Sequence, residues 1–429
     1  MAVLTFRGGV HPARNKKLTA SKPAKDYYPK GDLSFPLFLH HGLHAKPVVK
    51  GGEWVSAGTL IAEAEGYVSA NVHSSVAGIV KYVDFDTIVI ENIGENHEEP
   101  RAINKPYEKL SKKEIIKIIR DAGIVGMGGE EGYPTHIKLS PEDPDKISYV
   151  IVNGCECEPY LTCNYRRLIE EPQKIVIGLK IVLKLFDHAM GVIAIEDDKK
   201  SAVIKIKNYI SKEPRIRTKM LYTKYPQGAE RQLIDSLLNM QLNSSKDIAD
   251  SGCIVINVET IYAIYMAVVE GRPLISRMVT VAGDAIKEPG NFRVNIGTNA
   301  AELIEAAGGF VCPPEKIIFG GPMTGEAVMD INKPITKATN AIICLKEDPV
   351  IRVHQTNCIR CGRCMEVCPS GLIPTRLADF AALGRTDLFT ANDGAECIKC
   401  GSCSYICPAK RSLAELIVSM KQMISNEYL

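Results

Sequence analysis

No apolar run in this sequence is long enough to cross a bilayer. A spanning helix needs roughly 18 or more uninterrupted apolar residues. Residues 175–195 are broken by Lys180, Lys184 and Asp187, and residues 253–269 contain Asn257 and Glu259. Both stretches read as buried strand and helix segments. Net charge is nearly absent as well: 52 basic against 50 acidic residues leave +2, which excludes the basic footprint of a nucleic-acid binder. The opening residues, Met1-Ala-Val-Leu-Thr-Phe-Arg, lack the basic region and apolar stretch of a secretory signal. Disulfides, which require an oxidising compartment, are therefore not expected. There is no low-complexity segment, and a length of 429 residues predicts about three or four domains.

What is present is a cysteine pattern written twice. Cys358, Cys361, Cys364 and Cys368 are followed by Pro369, and Cys397, Cys400, Cys403 and Cys407 by Pro408. Each run has the bacterial ferredoxin spacing for a [4Fe–4S] cluster, whose fourth cysteine ligates the other cluster of a pair. Cys358, Cys361, Cys364 and Cys407 are thus expected to hold one cluster, and Cys397, Cys400, Cys403 and Cys368 the other. Structural zinc sites use paired CxxC or mixed Cys/His ligands and do not repeat this run. Two linked clusters form a short wire for single electrons. The remaining cysteines (Cys155, Cys157, Cys163, Cys253, Cys312 and Cys344) have no such spacing, and a buried reduced thiol is the default for most of them.

Upstream the pattern changes three times. Residues 35–92 alternate apolar with polar between glycines, which predicts a small all-β barrel or sandwich of the biotinyl/lipoyl type. The hairpin tip that carries the prosthetic lysine in such barrels falls here at Gly66-Tyr67, with no lysine, so a swinging arm is not expected. A polar stretch over 95–106 separates this part from residues 107–270, where helix and strand patterns alternate. Ser111 with Glu114 before an apolar stripe predicts a capped helix. The apolar runs beginning at Tyr149, Gly191 and Cys253 predict buried parallel strands, and with them an α/β layer whose ligand sits at the strands' carboxyl ends. Residues 277–325 read as a compact α+β module. The cysteine region follows, with a helix from Leu377 and a last amphipathic helix over 413–424.

The most glycine-rich stretch, Gly123 to Thr135, contains Gly126, Gly128, Gly129 and Gly132. Closely spaced glycines let backbone N–H groups converge on a phosphate, and they equally make a tight turn. Glu130 and Glu131 sit inside this loop and would oppose a phosphate if they faced inward. Asn153 to Tyr160 follows a buried strand directly, either as ligand contacts or as a cap and turn before a helix. Tyr225-Pro-Gln-Gly-Ala-Glu230 and Asn257-Val-Glu259 are further candidates.

Taken in order, Phe6-Arg-Gly-Gly-Val-His-Pro, Phe38-Leu-His-His-Gly, Val68-Ser-Ala-Asn-Val-His, Gly126-Met-Gly-Gly with Tyr133-Pro-Thr-His, Asn153-Gly-Cys-Glu-Cys-Glu-Pro-Tyr, Tyr225-Pro-Gln-Gly, Gly320-Gly-Pro-Met and the doubled cysteine run resemble the C subunit of Rnf-type ion-translocating ferredoxin:NAD oxidoreductases over nearly the whole chain. The central region also resembles the flavin- and NADH-binding subunit of respiratory complex I. The resemblance implies a multidomain α/β and α+β chain. Residues 1–100 would form a barrel-sandwich β domain with an N-terminal arm, and 101–275 an FMN/NADH-binding α/β domain. Residues 276–345 would form an SLBB-type module, and 346–429 a two-cluster ferredoxin-like helical domain with a C-terminal helix.

It further implies FMN beside the two [4Fe–4S] clusters. Gly126, Gly128, Gly129, Lys138, Asn153, Glu230 and Asn257 would hold the flavin, and Tyr133 and Glu158 would meet NAD(H). The implied partners are the membrane subunits of the complex, including an iron–sulfur subunit, and ferredoxin indirectly. The implied place is the cytoplasmic face of the cell membrane, held there peripherally. Two features depart from the family pattern: the loop is one residue longer and carries Glu130-Glu131, and Cys155 stands where the complex I relative has an aspartate. The competing readings are a non-catalytic electron-transfer subunit with a degenerate flavin loop, and a soluble relative of the cobalamin-reductase kind.

Overall fold

The computed structural model describes residues 4–38, 42–94, 105–128, 132–348 and 350–427. Gly129, Glu130 and Glu131 lie outside the described residues, as does most of the polar stretch over 95–106.

The chain begins as an extended arm that reaches β1 (Lys25–Tyr27), and then enters seven short strands: β2 (Leu33–Pro36), β3 (Lys46–Pro47), β4 (Trp54–Val55), β5 (Leu60–Glu63), β6 (Val72–His73), β7 (Gly78–Val83) and β8 (Thr87–Asn92). They form two antiparallel sheets, β2-β8-β7-β4 and β3-β5-β6. In β7 the inward Gly78 and Val80 alternate with exposed Ile79 and Lys81, the period-2 pattern that fixes which face meets the core.

The next helix, α1 (Lys112–Asp121), carries the expected capping box: Ser111 accepts from the Glu114 N–H, and Glu114 reaches back to the Ser111 N–H. After α2 (Thr135–Lys138) come β9 (Tyr149–Gly154), α3 (Cys163–Glu170), α4 (Pro172–Leu183), β10 (Met190–Glu196), α5 (Lys200–Ile210), β11 (Ile216–Leu221), α6 (Glu230–Leu238), β12 (Cys253–Asn257) and α7 (Val258–Val269). The four strands are parallel in the order β11-β10-β9-β12. The chain moves outward from β9 through β10 and β11, then returns to the other side of β9. The switch point therefore lies between β9 and β12, where such sheets open a crevice for a ligand. A buried pair ties the layer together: Arg167 on α3 donates to Glu259 on α7 at 2.7 Å, and its guanidinium stacks 3.6 Å over the Tyr262 ring.

The third part contains β13 (Ser276–Ala282), β14 (Gly290–Asn295), α8 (Ala300–Ala306), β15 (Lys316–Phe319), β16 (Glu326–Val328) and β17 (Ala341–Leu345). Its six-stranded sheet has the order β1-β14-β13-β17-β15-β16. The edge strand β1 thus comes from the N-terminal arm and pairs in parallel with β14.

Five helices make the last part: α9 (Arg363–Glu366), α10 (Pro374–Ala382), α11 (Thr386–Ala391), α12 (Ser402–Ile406) and α13 (Leu413–Glu427). Its repeat is visible in the backbone. Arg360 and Lys399 both sit at φ +57°, Gly362 and Gly401 at +77° and +73°, and Gly371 and Lys410 at +67° and +54°. A left-handed residue other than glycine costs about 1–2 kcal/mol, and both CxxC turns carry one at the same place. No helix among the described residues is long and apolar enough to cross a membrane.

Three buried lysines clamp these parts to one another. Lys16 of the arm donates to the Glu158 and Leu161 carbonyls at 2.9 and 2.5 Å. Lys224 donates to the carbonyls of Phe6 and Gly8. Lys337 of the third part donates to Asn71 O in the barrel at 2.6 Å and to Gly123 O, at the start of the glycine-rich loop, at 2.8 Å. Burial pushes the Lys337 ammonium down to about 7. The unfolded chain keeps that proton up to its ordinary value, so this group makes folding more favourable as pH rises from about 7 towards 10. Lys337→Met removes the titration. The wild-type melting temperature should therefore gain on that of the variant by a few degrees between pH 7 and pH 9. A gap that does not move with pH would contradict an ammonium that burial has pushed down at Lys337.

Candidate functional site

At the switch point, Asn153 stands one residue before the end of β9 and Asn257 ends β12, and the two residues are register partners. Both use their amides. Asn257 caps α7, with its Oδ1 accepting from the Glu259 N–H at 2.8 Å. Asn153 donates from Nδ2 to Gly228 O at 2.8 Å and accepts from the Cys155 N–H at 3.1 Å, which braces the loop before α6. The polar residue ending each apolar strand is the sequence signal for this crevice.

The described part of the glycine-rich loop packs against this end of the sheet. The Gly126 N–H donates to Tyr133 O at 2.7 Å, and the Met127 N–H donates to the Thr260 hydroxyl at 3.0 Å. Gly128 has φ +82°, and a Cβ there would stand 2.4 Å from Asn257 Nδ2. Only glycine fits against the cap residue. Past the loop, α2 presents Lys138, whose ammonium is ion-paired with Glu230 in the first turn of α6. These contacts gather Gly126, Gly128, Asn257, Asn153, Glu230 and Lys138 around the carboxyl ends of β9 and β12. Tyr133 stands half-buried at the edge of this group, its hydroxyl pushed up by burial.

Glu158 lies where the third part meets this layer. Its carboxylate accepts from the Met323 N–H at 3.0 Å and from the Thr324 hydroxyl at 2.6 Å. Burial pushes it above the usual carboxylate range, and those two donors pull it back. A Cβ on Gly321 would stand 2.3 Å from Glu158 Oε2, so the Gly320-Gly-Pro-Met turn is shaped around this side chain.

The residues fit a flavin nucleotide. Buried polar atoms without a partner occur in two of the crevice-forming segments: Thr135 Oγ1 at the end of the glycine-rich loop and Gln227 Oε1 in the loop before α6. A lysine, backbone amides and orphaned polar groups around an apolar sheet end are the donor set that a phosphate and a polar ring system use.

The eight cysteines line two cavities. One is bounded by Cys368, Cys397, Cys400 and Cys403, the other by Cys358, Cys361, Cys364 and Cys407. Each cavity draws three thiols from one run and the fourth from the other. Hydrogen bonds reach the sulfurs: the Arg360 N–H to Cys358 at 3.4 Å, the Thr375 hydroxyl to Cys358 at 3.6 Å, and the Leu372 N–H to Cys368 at 3.4 Å. Such donors favour thiolate and suit a cluster's bridging and ligating sulfurs.

The first cavity faces the crevice. A Cβ on Gly401 would lie 3.1 Å from Met323 O, and the Met323 N–H is bonded to Glu158. The Tyr225 hydroxyl, pushed far up chiefly by burial, also has Glu158, Cys157 and Cys400 near it. The N-terminal arm fills the rest of the seam. The Gly9 N–H donates to Val367 O at 2.9 Å, and Val10 exchanges two backbone hydrogen bonds with Tyr225 at 2.8 and 2.9 Å. The resemblance implied an N-terminal arm, but its place in this seam was not read from the sequence. Its signal is the Gly8-Gly9 pair, whose Cβ atoms would meet Val367 O at 2.9 Å and Tyr225 O at 2.7 Å.

Comparison with known proteins finds four matching domains in the same order. Residues 4–94 match the RnfC barrel sandwich hybrid domain, 119–266 the Nuo51 FMN-binding domain, 278–327 the SLBB domain and 357–412 a 4Fe-4S dicluster domain. The chain is 41% identical to the C subunit of the proton-translocating ferredoxin:NAD(+) oxidoreductase complex of Clostridium ljungdahlii, over 90% of this chain and 85% of the relative. It is 38% identical to the Na(+)-translocating counterpart of Acetobacterium woodii over 98% and 97%, and 35% identical to the C subunit of the ion-translocating oxidoreductase complex of Rhodobacter capsulatus over 87% and 74%. Among solved structures, a chain of an NAD+-reducing [NiFe]-hydrogenase in the H2-reduced state shares the fold with a TM-score of 0.52 at 17% identity, over 75% of this chain and 63% of that one.

Proposed function

The chain belongs to the family of C subunits of ion-translocating ferredoxin:NAD(+) oxidoreductase complexes, and from that premise we propose that it is the electron-input subunit of such a complex, exchanging electrons with NAD(H) at the crevice and passing them through the cysteine cavities to partner subunits. The observation that carries this reading is the seam in which Glu158, Met323 and Gly401 follow one another from the crevice to the first cysteine cavity.

Bound FMN supplies the conversion between a two-electron hydride donor and one-electron carriers, and the [4Fe–4S] clusters carry the single electrons. The protein's part is to bind and orient. Gly126 and Gly128 bring backbone close to the flavin phosphate, while Lys138, steered by Glu230, supplies its positive counter-charge. Asn257 positions the loop, and Asn153 holds the opposite wall. Glu158, an acceptor at the crevice mouth, suits the ribose hydroxyls of the nucleotide, with Tyr133 offering an aromatic edge. Cys358 and Cys361 are exposed, so the cavity they line is the exit towards a partner. Attachment is peripheral, on the cytoplasmic face where NAD(H) is available.

The test is one anaerobic preparation in which iron, acid-labile sulfide and flavin are counted and NADH is added. Flavin bleaching followed by cluster reduction is expected. Clusters without an NADH-reducible flavin would refute the reading. Glu158→Gln should raise KM for NADH about 10-fold or more, the loss expected for a hydrogen bond to a charged group, while flavin content stays at the wild-type level.

A further inference from the structure

The sequence from Lys199 to Lys219 holds eight basic residues (Lys199, Lys200, Lys205, Lys207, Lys212, Arg215, Arg217 and Lys219) against one acidic residue, Glu213. A chain of net charge +2 thus concentrates a large positive excess on α5 and the edge strand β11, and the rest of it is net negative. From the surface, Lys205 donates to Ile169 O at 3.1 Å and Arg217 to Ile216 O at 2.9 Å, and two further cations are drawn inward. Lys199 is buried against Glu196 and Asp198, and Arg215 donates to the carbonyls at the end of α4 and at Ala189. The other six are exposed.

Among the described residues none of those six forms an ion pair, and Glu213 is taken by Lys180. Elsewhere surface lysines do find carboxylates: Lys112 pairs with Asp187 and Lys117 with Asp121. Helix α5 turns Ala202, Val203 and Ile206 into the core. Its exposed surface then carries Ile204, 62% exposed, near Lys200, Lys205 and Lys207, with Tyr209, 46% exposed, five residues further along.

In β11, Arg217 and Lys219 alternate with Ile216, which packs with Ala202, Val203 and Ile206, and so point to the other side of the sheet from α5. We propose that the outer face of α5, with Lys212 in the turn that follows it, binds the anionic headgroup layer of a phospholipid bilayer. Its four outward cations, Lys200, Lys205, Lys207 and Lys212, are all lysines, hydrated point charges on flexible stems that suit a fluid array of headgroups. A shaped carboxylate partner would favour the fork of arginine. An exposed aliphatic side chain amid lysines, with a tyrosine beside it, is the composition of an interfacial helix. The proposal adds a direct lipid contact to the peripheral attachment proposed above, and rests on that reading for its biological setting only.

The purified full-length chain would be sedimented with vesicles of neutral phospholipid, alone or with about a third anionic phospholipid. Binding to the anionic vesicles that falls with added salt is expected, and little to the neutral ones. Replacing Lys200, Lys205, Lys207 and Lys212 with glutamine should weaken it about five-fold for each lysine lost, and Ile204→Ser should weaken it further. The same four-charge change at Lys109, Lys112, Lys113 and Lys117 should leave binding close to wild type. Equal binding to neutral vesicles, or equal loss in the control set, would overturn the proposal. So would a glutamine variant that binds anionic vesicles normally but no longer co-purifies with the membrane subunits, which would assign the face to an acidic protein surface. NADH bleaching of the flavin in the same variants reports on the catalytic reading separately.

Discussion

Replacing Cys368 with Ser should cost the chain the cluster held mainly by the other cysteine run. The cavity bounded by Cys397, Cys400 and Cys403 takes its fourth thiol from Cys368, although Cys368 belongs in sequence with Cys358, Cys361 and Cys364. The variant should keep about half of its iron, since one of the two clusters retains its four ligands. The surviving signal should be that of the more exposed cluster. This inner cavity lies beside the Met323 turn, so the break falls between the crevice and the exit. NADH should still bleach the flavin, and the remaining cluster should no longer follow. Cys407→Ser gives the mirror result: the inner cluster survives and is reduced by NADH, but transfer to a partner stops. If Cys368→Ser instead removed the cluster of its own run, the crossed ligation would be wrong.

Gly128→Ala should produce the largest loss at the crevice. A side chain there meets two obstacles at once: φ of +82°, which costs about 1–2 kcal/mol for a residue with a Cβ, and the Asn257 amide 2.4 Å away. Both the loop and the cap residue must shift, so flavin should be absent from the purified protein while both clusters remain. Asn257→Asp separates the causes. Aspartate still caps α7 but loses the amide N–H2 that faces the loop, so its melting temperature should stay near wild type while flavin affinity drops. Asn257→Ala removes the cap as well and should cost about 1 kcal/mol of stability in addition. Flavin absorbance after desalting, set beside melting curves, distinguishes the three.

The elements that set the sites were legible where one local rule fixed them. The CxxCxxCxxxCP spacing places three thiols on one turn and the fourth across a two-fold repeat. The polar ends of the runs at Tyr149 and Cys253 mark Asn153 and Asn257 because a buried parallel strand tolerates polar groups only where it leaves the sheet. Ser111 and Glu114 announced a helix start through their reciprocal bonds. What stayed hidden depends on partners far away in sequence. Lys16, Lys224 and Lys337 look like surface lysines, yet each is drawn inward by carbonyls of another module, and Lys337 acts through Asn71 and Gly123. Apart from one 3-10 turn at Lys16–Leu18, the arm carries no regular pattern of its own, and its long-range backbone bonds go to Val367, Tyr225 and β14.

That arm sets an order of assembly. Residues 4–27 are made before their resting places, the Tyr225 loop, the flank of β14 and, later still, the backbone beside Cys368. Domains tend to fold as they emerge, so the flavin layer can form early, but the seam cannot close until the C-terminal helices arrive. The first two dozen residues act as a bolt drawn across a finished door. A chain with a bulky fusion at its N-terminus should therefore fold its modules and still leave the two redox sites poorly joined.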